Sequence, residues 1–397
     1  MSKKKIVIIT PNYYPENFPI NNFVDLLSKE EEVDIITNLP SYRINKFYKG
    51  YNFFGPYKEN IKGVNIHRIT TFPRISDKKF FILLHYIVYF ISMTFYSVYY
   101  FIINRKKTKY IISYCLSPTF TALFGIIGSK ITGAKHYNWV QDIWPEAIIS
   151  STNVKNTFFY KIIKIFQNFL FDKSELIAQS DQMKSYFESK YAKKINQINN
   201  IPRNLFQNQK ISKNKIKDRL VFSYFGNIGK AQKLDYFLNL FMKTNNKSFV
   251  INIYGSGSEK NELMKKYKNE KIIWHQYMSE LDLLEKYEET NYFLLPIDAT
   301  GRQKYILPGK FSSYLFFCRP IIGFSNKNSA IEECIKNNQL GTFIDIDDKI
   351  EKNIKIINQL FDNQKEYYET QQINAKNFYN NYFSTKSIEE QIKKTFI

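Results

Sequence analysis

The chain has 397 residues and a formal net charge of +21, from 57 Lys and Arg against 36 Asp and Glu. That length holds two domains, each large enough for its own core, and the basic balance points to anionic partners: nucleic acid, anionic lipid or phosphate-bearing small molecules. The basic residues are spread along the whole chain without an RNP, helix-turn-helix or zinc-finger pattern, which sets nucleic acid aside.

The opening MSKKKIVIIT runs directly into a short apolar strand, without the longer apolar region and cleavage site of a signal peptide. Cys115, Cys318 and Cys334 form no CxxC pair or zinc clip, so a reduced, cytoplasmic chain without a structural metal is expected. KIVIIT, VDIITNL, VNIHRIT, YIISYCL and KHYNWVQD are candidate strands separated by helical patterns, as in a doubly wound parallel sheet. After the first strand, TPNYYPENFPINNF stands where a Gly-rich dinucleotide loop would sit. With no GxGxxG there, a nicotinamide or flavin dehydrogenase is unsupported. Asn17, Asn21 and Asn22 are candidate acceptor contacts, bonding sugar hydroxyls or a phosphate, or else the residues of a plain turn.

Residues 80–104, FFILLHYIVYFISMTFYSVYYFIIN, contain no Asp, Glu, Lys or Arg and lie between DKK and RKK. The run is long enough to cross a bilayer once. Strands before and after it are expected in one sheet, however, which a single pass would split, and two passes do not fit its length. It reads as a helix in or dipping into one leaflet, with tyrosines at headgroup depth and lysines on anionic lipid. A helix buried against protein is the alternative.

WVQDIWPEAI places Asp142 and Glu146 just past the end of a strand, where a carboxylate orients a sugar hydroxyl or takes its proton. Equally, Asp142 caps a helix beginning near Pro145. The four histidines, His67, His85, His136 and His275, show no metal-ligand or triad spacing, and no metal site is expected.

The stretch from Asn199 to Asp218 reads as the connection to a second half, with strands RLVFSYFG, FVINIYG, KIIWHQY, NYFLLPI, RPIIGF and GTFIDI. In YFGNIGKAQKLD, a tight turn at Gly226 and Gly229 lets backbone approach a phosphate, with Lys230 and Gln232 as donors; Gly255 and Gly257 repeat the arrangement. Both turns also suit a plain strand-to-helix connection. Tyr277 and Met278, at the end of KIIWHQY, join the donor-side candidates. YILPGKFSSYLFFCRPIIGF then puts Lys310, Ser312 and Ser313 in the first turn of a helix, a place that favours an anion. Two such sheets are expected to face one another across a cleft, with ligands at the carboxyl ends of strands.

Taken in order, PNYYPEN, TNLPSYRINKFYKGY, QDIWPEA, GNIGKAQ and PGKFSSYLFFCRPII resemble a family-4 retaining glycosyltransferase of the GT-B fold. The likeness is to the L-fucosamine-transferase-like branch of bacterial surface polysaccharide synthesis. It implies two Rossmann-like domains, residues 1–200 for the acceptor and 201–375 for a nucleotide sugar, with a final helix over 376–397 packing back on the first. It also implies a UDP-sugar donor, a polyprenyl-diphosphate-linked acceptor, no cofactor or metal, and a place at the cytoplasmic face of the inner membrane. The expected sugar is an N-acetylated hexosamine or deoxyhexosamine, for O-antigen, capsule or a related glycan. Lys310 matches the lysine of the family's PSK motif and is expected on the diphosphate, and the resemblance adds Asn227 to the donors of the Gly226 turn. Asp142 falls where other members place a catalytic His or Asp. Tyr305 and Ser313 stand where the family's E-x7-E signature has its glutamates, and Gly309 replaces the serine before the lysine. The alternatives are a GT-B-fold sugar-nucleotide epimerase or hydrolase, and a non-catalytic membrane-binding subunit.

Overall fold

A computed structural model describes residues 4–42, 46–73, 79–117, 119–143, 158–202, 219–246, 248–276, 278 and 280–396. The chain forms two compact units. Met1–Ala147, Val154–Asn199 and Glu389–Ile397 make the first, Ile148–Asn153 and Asn200–Ile388 the second.

The first unit contains β1 (Lys5–Ile9), α1 (Pro19–Leu27), β2 (Val33–Asn38), β3 (Lys58–Ile61), β4 (Val64–Ile69), α2 (Lys79–Ile103) and β5 (Thr108–Cys115). It continues with α3 (Thr121–Thr132), β6 (Lys135–Val140), α4 (Phe158–Asp172), β7 (Glu175–Ala178), α5 (Asp181–Tyr191) and β8 (Asn196–Gln197). The sheet runs β3-β4-β2-β1-β5-β6-β7-β8, parallel except for β3 against β4. Strands β1 and β2 are covered on both faces, so their sequences are continuous apolar runs rather than alternating ones. Strand β3 is an addition to the expected set. Its KENI is half exposed and carries no apolar period, and it exists because Lys62 and Gly63, both at positive φ, make a two-residue hairpin turn into β4.

Helices α2, α3 and α4 cover one face of this sheet. Tyr89, Met93 and Phe101 of α2 join Val7, Ile9, Ile36 and Ile111 with Phe124 of α3, while Leu170 of α4 meets Cys115, Ala122 and Ile126. Helix α3 approaches so closely that a Cβ on Gly125 would lie 2.1 Å from Nε2 of His136. His136 is structural: it bonds Ser113 Oγ at 2.9 Å, and burial pushes its imidazole down to about 3. On the opposite face, Phe23 packs on Trp139 with centroids 4.8 Å apart. The last helix of the chain, α12 (Thr385–Phe396), places Phe396 against Tyr137 at 5.0 Å there.

One buried carboxylate fixes α2 to the sheet. Asp34 accepts from Lys5, from Tyr100 Oη near the end of α2, and from Asn65 Nδ2 at 3.0 Å, with His67 Nε2 at 3.4 Å. Burial alone would raise this carboxyl, yet the hydrogen bonds from His67, Lys5, Tyr100 and Asn65 outweigh it and hold the group well below the usual carboxylate range. Strands β4 and β5, on either side of α2, lie in one sheet, and α2 packs along that sheet.

The second unit contains β9 (Leu220–Phe225), α6 (Leu234–Met242), β10 (Phe249–Tyr254), α7 (Lys260–Lys266), β11 (Ile272–Trp274) and α8 (Glu280–Glu289). Then come β12 (Tyr292–Pro296), α9 (Lys310–Phe316), β13 (Ile321–Ser325), α10 (Ala330–Asn337), β14 (Gly341–Asp345) and α11 (Ile350–Tyr382). The order β11-β10-β9-β12-β13-β14 is parallel throughout. Aromatic residues fill its core: Phe222, Phe241, Phe249, Tyr292 and Phe361 lie on one side, Phe293, Tyr314 and Phe317 on the other. Each such side chain contributes roughly 1.5–3 kcal/mol by leaving water.

Candidate active site

In the second unit the candidates gather at the carboxyl ends of β9 and β10. The two loops that follow extend the strand ladder: Gly226 N–H donates to the Tyr254 carbonyl and Ile228 N–H to that of Ser256, both at 2.9 Å. This approach is what Gly255 and Gly257 permit. Both have positive φ, and a Cβ would lie 1.8 Å from the Gly226 carbonyl oxygen at Gly255 and 2.1 Å from that of Ile228 at Gly257. Their role is loop-on-loop packing that shapes the β9 turn.

That turn is closed from within. Gln232 Oε1 accepts from Gly229 N–H at 3.1 Å and from Asn227 Nδ2 at 3.2 Å, and Tyr224 Oη donates to the Asn227 carbonyl. Lys233 pairs with Asp298 at 3.2 Å, and Asp298 N–H donates to the Ala231 carbonyl, tying the turn to the loop after β12. Lys230 and Asn227 remain exposed at its rim.

Lys310, the first residue of α9, reaches into this arrangement. Its Nζ donates to Tyr224 Oη at 3.0 Å, lies 4.1 Å from the Tyr224 ring centroid, and would stand 2.7 Å from a Cβ on Gly226. Tyr314 anchors α9 by receiving Phe225 N–H on its hydroxyl at 3.2 Å. Among the described residues no carboxylate pairs with Lys310. Burial pushes its ammonium down to about 7. Lys310 as a whole is half-buried. Beside it runs a column of five stacked rings, His275, Tyr254, Phe225, Tyr287 and Phe317, with successive centroids 3.9–4.8 Å apart.

Other candidates lie elsewhere. Ser312 and Ser313 are buried, and Ser312 Oγ donates to the Gly309 carbonyl at 3.1 Å within the turn of α9. Met278 packs against the core under α8, while Tyr277 lies outside the described residues.

In the first unit, Asp142 follows β6 and its Oδ2 accepts Ser117 N–H at 3.1 Å, which joins the ends of β5 and β6. Burial raises its carboxyl above the usual value, opposed by the Ser117 hydrogen bonds. Its observed partner is therefore the β5 loop, and Glu146 lies outside the described residues. Asn21 and Asn22 are buried in α1, with Asn21 Nδ2 donating to the Glu16 carbonyl at 2.7 Å, and of the three only Asn17 is exposed. The sequence also gave no notice of Glu16 and Arg68. Glu16 Oε1 accepts N–H groups of Ser41 and Tyr42 at 2.8 and 2.7 Å, and buried Arg68 donates to the Asn38 and Tyr14 carbonyls and to Glu59. Together they lock the loops after β1 and β2. Among the described residues no group of three His, Cys, Asp or Glu is placed to hold a metal.

No family model matches the chain, and no curated protein matches it. Solved structures do. Sucrose-phosphate synthase from Thermosynechococcus elongatus is similar over 99% of this chain and 98% of its own, with TM-score 0.69 and 11% identity. Anabaena Alr3699/HepE, solved with UDP and glucose, covers 99% of both chains with TM-score 0.65 and 11% identity. WaaG, a glycosyltransferase involved in lipopolysaccharide biosynthesis, covers 98% of this chain and 99% of its own with TM-score 0.65 and 10% identity. At such identities the likeness speaks to architecture, and the chain has the GT-B fold, with two parallel-sheet α/β units.

Proposed function

We propose that the chain is a retaining glycosyltransferase of family-4 type. It moves an N-acetylated hexosamine or deoxyhexosamine from a UDP-sugar to a polyprenyl-diphosphate-linked acceptor, in O-antigen, capsule or related glycan synthesis. The observation that carries this reading is Lys310: a half-buried lysine with no carboxylate partner among the described residues, set against Gly226 at the end of β9. An unpaired cation in such surroundings is stabilised by an anion that arrives with the substrate. A sugar diphosphate supplies one, and the same ammonium then offsets the charge that grows on the leaving UDP in the transition state. Asn227 and Lys230 at the rim of the turn are the remaining donors for the diphosphate. No resident metal is required in this scheme, because side chains neutralise the leaving group. UDP in the HepE structure is consistent with a UDP-sugar donor on this fold.

The acceptor class rests on α2, whose outward residues are apolar over the whole helix, with Phe80 67% and Phe95 74% exposed. Such a helix suits the lipid boundary of the cytoplasmic leaflet, where a polyprenyl acceptor is confined. Asp142 is the first unit's candidate proton acceptor. The test is UDP release from a panel of UDP-sugars, with and without a polyprenyl-diphosphate sugar in vesicles. Release that requires the lipid is expected. Consumption of donor without acceptor would make the chain a hydrolase or epimerase, and no consumption of any donor would leave a non-catalytic subunit.

A further inference from the structure

Helix α4 carries a feature unlike that of an ordinary surface helix. Phe158, Ile162, Ile165 and Phe169 are 80%, 46%, 70% and 40% exposed. Their spacing of four, three and four residues puts them on one stripe, within an arc of roughly 60°. The opposite side is the true core side, where Ile163, Leu170 and Phe171 are buried. An amphipathic helix has one apolar face, which packs inward; α4 has two, and the second faces solvent.

Helix α4 lies on the same side of the sheet as α2. Helix α3 lies between them, touching α2 through Phe124, whose ring is 5.9 Å from Tyr89 and 5.7 Å from Phe90, and touching α4 through the cluster of Ala122, Ile126 and Leu170. All three helices cover the same face of the sheet. The charges along this layer are mostly positive: α3 adds Lys130, α4 adds Lys161 and Lys164 beside the stripe, and Arg105, Lys106 and Lys107 follow α2. The only acidic residue in the three helices is Asp172, at the last position of α4. An apolar face edged by these cations, with Asp172 at its far end as the one carboxylate of the three helices, matches an anionic bilayer, where acyl chains take the apolar groups and headgroups the lysines.

We propose that α4 is a second membrane-contacting helix, lying with α2 in the same leaflet, so that the α2–α3–α4 layer sets the first unit flat on an anionic lipid surface. This rests on the membrane placement of α2 proposed above. A single helix fixes one axis on a surface and leaves the unit free to roll about it. Two helices separated by α3 fix the plane of the sheet.

The experiment uses the full chain and sedimentation with vesicles of phosphatidylethanolamine and phosphatidylglycerol. In Ile162→Glu/Ile165→Glu both changes fall on exposed positions, so the melting temperature should stay at the parent value. Moving two apolar side chains out of lipid and adding two negative charges should weaken partition by at least about tenfold. In parallel, Ile165→Trp adds a reporter, and brominated acyl chains should quench its fluorescence beyond the quenching of the parent. Undiminished sedimentation of the double variant, or no added quenching, would overturn the role of α4 while leaving that of α2 standing. Failure of the parent to bind vesicles would instead bring down the α2 placement and this proposal with it. A concentration-dependent dimer in the parent that Ile165→Glu dissociates would assign the stripe to a second copy of the chain and also overturn the proposal.

Discussion

Replacing Lys310 with Met keeps the length and apolar stem of the side chain and removes the ammonium that lies 3.0 Å from Tyr224 Oη. A charge-assisted hydrogen bond is worth roughly 1.5–3 kcal/mol, so UDP affinity and donor kcat/KM should fall about 10- to 150-fold. Stability should move the other way. In the folded chain burial brings the group from 10.5 down to about 7, so between those values the unfolded chain holds the extra proton. The Lys310 contribution to wild-type stability therefore rises with pH across that window, by at most about 1.4 kcal/mol per unit and less because solvent screens a partly exposed group. UDP affinity should decline across the same window, by up to about tenfold per pH unit, because binding needs the charged form. Calorimetric titration of UDP from pH 7.5 to 9.5, with melting curves on the same preparations, reads both trends. In Lys310→Met the Lys310 parts of both pH dependences should be absent, so the difference between wild type and variant carries them. Equal UDP affinity in the two proteins, or the same pH trends in both, would refute the assignment of Lys310.

Gly255→Ala places a Cβ 1.8 Å from the Gly226 carbonyl oxygen, and should destabilise the second unit by about 3 kcal/mol or more, with UDP binding lost in parallel; thermal melting and titration check it. Asp34→Ala should cost about 3–5 kcal/mol by leaving Lys5, Tyr100 and Asn65 without their acceptor. Because the Asp34 carboxyl is depressed in the folded chain, its contribution is complete above the ordinary Asp value of 3.8 and is lost as pH falls below it, so acid unfolding curves of wild type and variant should converge at low pH. Asp142→Asn keeps an acceptor for Ser117 N–H and should leave the melting temperature near wild type; turnover lower by roughly 10²-fold marks a proton acceptor, and unchanged turnover removes Asp142 from the chemistry. Chelators should leave sugar transfer intact, and restoration of a chelated enzyme by Mg2+ or Mn2+ would contradict the metal-free scheme.

The strands were legible wherever burial on both faces forces a continuous apolar run, as in KIVII and VDIITN. Strand β3 was not, because a half-exposed KENI gains its identity from the turn at Lys62 and Gly63. In the site, Lys310 stood out from its place at a helix start, whereas its partner Tyr224 lies 86 residues earlier and becomes adjacent only when β9 and α9 are packed together. Gly255 and Gly257 were visible as glycines, but their purpose depends on the neighbouring loop that fills the space of a side chain. Asn21 and Asn22 looked like polar groups offered to a ligand. Nothing local shows in the sequence that both are buried in α1, with Asn21 bonded to the Glu16 carbonyl.

Transfer to lipid is the decisive observable. The purified chain, incubated with a panel of UDP-sugars and extracts of bacterial membrane lipid, should add the mass of one N-acetylated hexosamine or deoxyhexosamine to a polyprenyl-diphosphate species, in step with UDP release and lost in Lys310→Met. A sugar that appears only free in solution, or a lipid whose mass never changes while donor is consumed, would contradict it.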